Sequence, residues 1–280
     1  MLLTESHLKS NDLNNLETKP TNWVDAMTAG TAVFVERSKG ASRFVFVCEH
    51  AANDIPAHWG SLGLTDAQRQ SHIAWDPGAL DVARALSATL DAPLIHGGIS
   101  RLVYDVNRPP AAVSAMPSRS ETHDIPGNVD IDPAERLTRT QAVYIPFHSA
   151  VGRLLAERLA TGPAPVLVTV HSFTPVYFGQ PRTVELGVIH DADATLARLV
   201  VNESAARTGF VTRLNAPYSA QDGVTHMLAL HATPYGIDNV MLEIRNDLIS
   251  DPVSVSRVAA QISQVLTAAL ARLTTEKGRI

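Results

Sequence analysis

Short runs of consecutive apolar residues punctuate the chain. Phe44-Val-Phe-Val-Cys48, Arg101-Leu-Val-Tyr-Asp-Val106, Val166-Leu-Val-Thr-Val170, Leu186-Gly-Val-Ile189 and Asn239-Val-Met-Leu-Glu-Ile244 are rich in β-branched residues and show little polar alternation. Such runs predict strands covered on both faces. Between them the period changes. Ala79, Val82, Ala83, Leu86 and Leu90 recur at helical spacing, and Asp76 stands where an N-cap would stand. Asp251-Pro252, a capping carboxylate followed by proline at the first helical position, predicts the start of a long amphipathic helix over residues 253–273. Residues 133–159 also read as helix, with Pro146 breaking or kinking it. Strands alternating with helices predict a three-layer α/β/α domain around a mainly parallel mixed sheet. Asn215-Ala-Pro-Tyr-Ser-Ala-Gln-Asp-Gly223 is long for a connection and dense in turn formers, as loops that border sites often are.

Composition narrows the picture. Residues 1–30 are polar, rich in Asn, Ser and Thr, and lack either period; they read as a loose leader to a single domain over residues 31–280. A net charge of -5 lacks the basic excess that exploits counterion release, which excludes nucleic acid as the expected partner and leaves a small molecule. An anionic substrate would then need local arginines. The single cysteine, Cys48, excludes an internal disulfide framework and a thiolate-rich zinc site. Neither a secretion signal nor an apolar stretch long enough to span a membrane is evident, so the expected location is the cytoplasm.

In open α/β sheets, ligands bind beyond the carboxyl ends of the strands. Those ends carry Glu49 and His50; Asp105, Asn107 and Arg108; His171 and Ser172; and Glu243, Arg245 and Asp247. Two histidines and a carboxylate from separate strand ends are what a catalytic zinc site uses while leaving a position for water. His50, His171 and Asp76 form the natural set, although the local His-Glu-x-x-His and Cys-x-x-Cys motifs are absent. Arg245 shares a strand face with Glu243 by the period of two, where its fork suits a substrate carboxylate. The competing structural reading is an ion network among Asp105, Arg108, Arg245 and Asp247. His72, His190, His226 and His231 are reserve candidates, and Cys48 lies in an apolar strand where a thiol is usually inert.

Five segments, Val47-Cys-Glu-His-Ala-Ala-Asn-Asp-Ile-Pro56, His72-Ile-Ala-Trp-Asp-Pro-Gly78, Ser100-Arg-Leu-Val-Tyr-Asp-Val-Asn-Arg-Pro109, Val170-His-Ser-Phe-Thr-Pro175 and Leu242-Glu-Ile-Arg-Asn-Asp247, resemble the ordered signature blocks of the N-formylglutamate amidohydrolase family. The resemblance covers roughly residues 40–270. It implies a phosphorylase/hydrolase-like fold related to zinc carboxypeptidases and amidases, with zinc or another divalent metal held by His50, Asp76 and His171. Glu49 is the rival to Asp76 as acidic ligand. Glu243 would be the general base and Arg108 the donor to the oxyanion, with Arg245, Arg101, Asn107 and Ser172 around the substrate. The implied reaction is hydrolysis of the amide of N-formyl-L-glutamate or a related N-acyl amino acid. The alternatives are a peptide or peptidoglycan amidase of the same chemistry, and a binding protein that kept the fold without catalysis.

Overall fold

A computed structural model describes residues 31–278; the expected leader lies outside these residues. Along the chain run β1 (Val33–Glu36), β2 (Phe44–Cys48), β3 (Leu94–Gly97), a hairpin of β4 (Arg119–Ser120) and β5 (His123–Asp124), β6 (Val166–Phe173), a second hairpin of β7 (Val176–Tyr177) and β8 (Gln180–Pro181), β9 (Leu186–Ile189), β10 (Thr212–Leu214) and β11 (Asp238–Arg245). The α-helices are α1 (Asp66–Gln70), α2 (Ala79–Leu90), α3 (Pro133–Arg139), α4 (Ile145–Thr161), α5 (Thr195–Arg207), α6 (His226–His231) and α7 (Pro252–Lys277). Among the described residues, no helix is long and apolar enough to cross a membrane.

The main sheet has the order β1-β3-β2-β6-β11-β9-β10. Its centre is parallel: β3, β2, β6 and β11 run together, as do β9 and β10, while β1 joins β3 and β9 joins β11 antiparallel. The apolar runs explain themselves through period two. Phe44, Phe46 and Cys48 enter one core with Val168 and Leu242, beneath Val82 and Leu86 of α2, Leu196 and Val200 of α5, and Ile262 and Leu266 of α7. Val45 and Val47 enter a second core with Leu167 and Met241, beneath Phe147 and Val151 of α4 and Met227 of α6. The three-layer α/β/α architecture is as the pattern predicts.

Three local expectations need correction. Residues 101–106 form turns, not a strand: Val103 N donates to Ser100 O at 2.9 Å and Arg108 N to Asp105 O at 3.0 Å. The cap of α2 is Gly78, not Asp76. Gly78 takes a φ of +79° and lies against Ile249, where a Cβ would clash. Pro146 does not break its helix. The chain widens into a π turn over residues 140–144, Ile145 N donating to Thr140 O, and Pro146 then sits in the first turn of α4, where a missing N–H costs little. Asp251 does cap α7, its Oδ1 accepting from Val253 N at 2.9 Å and Ser254 N at 3.0 Å.

Candidate active site

The site forms where three parallel strands end on the face of the second core. β2 passes into Glu49 and His50, while β6 and β11 run further, so that His171 lies directly opposite Glu243 in register. Asp76 is fastened to this edge by its backbone, its N–H donating to His50 O at 2.9 Å. With the helix cap provided by Gly78, the Asp76 carboxylate is left to turn toward the histidines.

Nδ1 of His50 lies 3.3 Å and Nδ1 of His171 lies 2.9 Å from the same oxygen, Asp76 Oδ2. One ligand atom from each of the three buried residues falls within 4.8 Å of the others. The far sides of both rings also face carboxylates. His50 Nε2 is 2.7 Å from Asp105 Oδ1. His171 Nε2 is 3.1 Å from Glu49 Oε2, close enough for an ion pair but too poorly aligned for a hydrogen bond, so neither Glu49 oxygen has a hydrogen-bond partner. Arg101 bridges Asp76 Oδ1 at 3.4 Å and Asp105 Oδ2 at 2.8 Å.

A neutral imidazole has one N–H, yet each of these rings meets carboxylates on both sides. In direct contact with the three carboxylates of Glu49, Asp76 and Asp105 stands one guanidinium, that of Arg101, with Arg108 acting on Asp105 only from a distance. The two missing positive charges are either two imidazolium protons or one divalent cation with both rings neutral. Both Nδ1 atoms and the Asp76 oxygen suit such a cation, and each far nitrogen then faces a carboxylate, as in histidine ligands commonly, with His50 Nε2 positioned to donate to Asp105. The electrostatics carry the same message. Burial disfavours an ionised Asp76, but the His50 charge and hydrogen bonds from both histidines hold its carboxyl well below the usual range. Burial likewise opposes charge on His171, yet Glu49 and Asp76 push it well above an ordinary histidine.

Glu243 differs from these carboxylates. It is buried, its Oε2 has no hydrogen-bond partner, and burial pushes its pKa up to about 7, with His171 opposing and Asp76 adding to the shift. Gly187 pairs with Glu243 across β9 and β11, and a Cβ there would collide with Ala216 O. Glycine thus lets the loop over residues 215–223 cross close to Glu243 and present Tyr218. Tyr218, Phe173 and Tyr177 line the cleft, and Arg182 sits among their rings at 5.1, 5.4 and 4.2 Å.

The cleft holds about 260 Å³ and is walled by His50, Asp76, His171, Glu243, Arg101 and Arg108, with His72 and Glu121 on its wall as well. The Arg108 guanidinium donates from Nη1 to Asn107 O at 2.8 Å and forms no ion pair among the described residues. Arg245 is elsewhere. It is not on the cleft wall, and its guanidinium meets Asp247 at 2.8 Å, Glu185 at 3.4 Å and Arg182 O at 3.1 Å. The network considered from sequence therefore divides: Asp105 belongs with His50 and Arg101, Asp247 with Arg245. Asn107 lines the cleft but uses its amide on Val224 O at 2.6 Å and Met227 N at 2.9 Å, and Ser172 Oγ donates to Pro77 O at 2.8 Å. Of the reserve histidines, His72 reaches the cleft, His190 pairs with Asn215, and His226 and His231 lie outside its wall. Burial pushes the Cys48 thiol well above its ordinary range, which keeps it inert. Sequence reasoning flagged the loop over residues 215–223 but missed Tyr218 within it, the pairing of Asp105 with His50, and Glu121.

The sequence model of the N-formylglutamate amidohydrolase family matches residues 42–250. The structure resembles that of gene product Atu2144 from Agrobacterium tumefaciens, with 48% identity, a TM-score of 0.86, and 88% of this chain and 97% of the other covered. It also resembles an N-formylglutamate amidohydrolase from Ralstonia eutropha JMP134, at 16% identity and a TM-score of 0.58, over 86% of this chain and 98% of that one. No curated protein matches the chain.

Proposed function

This chain belongs to the N-formylglutamate amidohydrolase family, and from that premise we propose that it is a metal-dependent hydrolase of the amide bond in a small N-acyl amino acid. The observation that carries this reading is the convergence of both Nδ1 atoms on Asp76, with a carboxylate behind each ring. His50, His171 and Asp76 would hold the metal. Asp105 and Glu49 would fix the rings from behind, which makes Glu49 an orienting group and Asp76 the acidic ligand. Zinc or a similar divalent ion, when bound, supplies a Lewis acid for the scissile carbonyl and brings the pKa of water toward ~7.

The chain's own residues do the rest. Glu243, kept near neutrality by burial, accepts a proton from the attacking water as its oxygen bonds to the carbonyl carbon. It then delivers that proton to the amide nitrogen as the carbon–nitrogen bond breaks, releasing the acid and the free amine. Arg245 is saturated by Glu185 and Asp247, so the fork left for a substrate carboxylate is Arg108, in place of the oxyanion role expected for it.

Metal analysis of the purified protein tests the reading. One divalent ion per chain is expected, together with hydrolysis of N-formyl amino acids that a chelator abolishes and zinc restores. His171→Ala should lose both stoichiometric metal and activity. Full metal content and turnover in that variant would remove the site from the reaction.

A further inference from the structure

The wall of the cleft formed by the β4–β5 hairpin holds a residue that the chemistry above does not use. Ser120 pairs with His123, so Glu121 and Thr122 form a two-residue turn, and Glu121 takes a φ of +50°. Turns of this length favour Gly, Asn or Asp at such positions, and a longer side chain there is uncommon. Its carboxylate lines the cleft, with Oε1 2.8 Å from Nε2 of His72. About a fifth of the Glu121 side chain and a third of that of His72 remain exposed, 21% and 31%, so the pair still faces cleft water.

Set against this carboxylate is a short supply of cations. Arg101 is already shared by Asp76 and Asp105, Arg182 lies behind the cleft wall against the rings of Phe173, Tyr177 and Tyr218, and Arg245 is paired outside the cleft. Of the two arginines on the cleft wall, Arg101 and Arg108, only Arg108 has no carboxylate partner. N-formylglutamate carries two carboxylates, and this cleft offers one guanidinium and, on the hairpin wall, an anion. We propose that the enzyme takes N-acyl amino acids whose side chain ends in an N–H donor, a carboxamide or an ammonium. Arg108 binds the α-carboxylate, Glu121 receives the side-chain N–H group with His72 holding its carboxylate in place, and a side-chain carboxylate is disfavoured. This specificity rests on the hydrolase reading above.

The test is kcat/KM on N-formyl-L-glutamine, N-formyl-L-lysine and N-formyl-L-glutamate. Glutamine and lysine substrates should exceed the glutamate substrate by about tenfold or more, mainly through KM, because a site that accepts a hydrogen bond rejects an isostere bringing a second anion. Glu121→Gln should narrow the gap, and Glu121→Lys should reverse the order of glutamine and glutamate substrates while metal content and thermal unfolding stay those of the parent. Equal or faster turnover of N-formyl-L-glutamate by the parent overturns the specificity and leaves the hydrolase reading standing. A metal-loaded parent that cleaves none of the three overturns both. An unchanged preference in a folded Glu121→Lys variant removes Glu121 from recognition.

Discussion

Two groups of histidines in this molecule have opposite electrical character. His50 and His171 lie at the strand ends between carboxylates, and despite burial both are raised above the ordinary histidine range. His148, His226 and His231 lie on the α4 and α6 side, where their direct partners are neutral. His148 Nε2 donates to Val106 O at 2.8 Å, so its Nδ1 accepts from His231 Nε2, also at 2.8 Å, and His226 meets the Tyr144 hydroxyl at 2.9 Å. Burial, reinforced by the neighbouring rings, lowers His148 to about 3 and His231 to about 4; burial lowers His226 as well. The same ring is thus drawn toward positive charge in one place and kept a neutral hydrogen-bonding wedge in the other. Carboxylates in direct contact make the difference, and a histidine count along the sequence cannot reveal it.

The comparison would break most visibly at Glu243, the one cleft carboxylate that no histidine ring neutralises by contact. Glu243→Gln should keep the metal yet lower kcat by about 10²–10⁴-fold, the usual worth of general acid–base catalysis. Unchanged kcat in a metal-loaded variant would leave Glu243 with only a structural part.

A smaller effect is expected from the carboxylate behind His50. Asp105→Asn keeps shape and a hydrogen-bonding atom but removes the charge opposite Nε2, and metal affinity should fall about 10–100-fold, as for other partners of metal-bound histidines. Competition titration with a chelator of known affinity measures it. Undiminished affinity would mean that Asp105 serves Arg101 rather than the ring.

The smallest effect belongs to the neutral group. In the unfolded chain these histidines take up protons as pH falls through about 6.5, whereas folded His148 and His231 resist until about 3 and 4. Their folded pKa values are depressed, so the stability contributed by these two rings should decline as pH drops from 6.5 toward 4 and level off above 6.5, with a slope approaching about 1.4 kcal/mol per pH unit for each ring. His231→Gln retains a donor toward His148 without titrating. Urea unfolding of parent and variant between pH 7.5 and 4.5 should show a shallower slope for the variant, and equal slopes would contradict the assignment.

Which parts of this were legible in the sequence follows from how each residue is buried. β2, β6, β9 and β11 could be read because both of their faces are covered, which leaves uninterrupted apolar runs. The run over residues 101–106 misled for a related reason. Leu102, Val103, Tyr104 and Val106 all enter one core, whereas a strand between two cores would divide them between its faces. β1 and β3 escaped notice because Phe34 and Val35 are exposed at the sheet edge and His96 interrupts the apolar pattern of β3. His50, His171 and Glu243 stood out because they end or occupy such runs. Glu121 and Tyr218 did not, since they come from turns whose course no periodicity describes. For Arg245, period two gave the correct strand face but not its company, because Glu185 arrives from a separate segment.

The position of β11 bears on how the chain assembles. Encoded last of the strands, it inserts between β6 and β9, pairing along the whole of β6. Until it arrives, two strands that finish at the centre of the sheet have open edges, and residue 243 is missing from opposite residue 171. Pairings this distant along the chain close slowly and leave aggregation-prone edges exposed meanwhile. A nascent chain halted before residue 238 therefore has nearly every strand in hand but neither a joined sheet nor Glu243, the residue proposed above to carry the proton, so the whole cleft is completed in one late step rather than by increments.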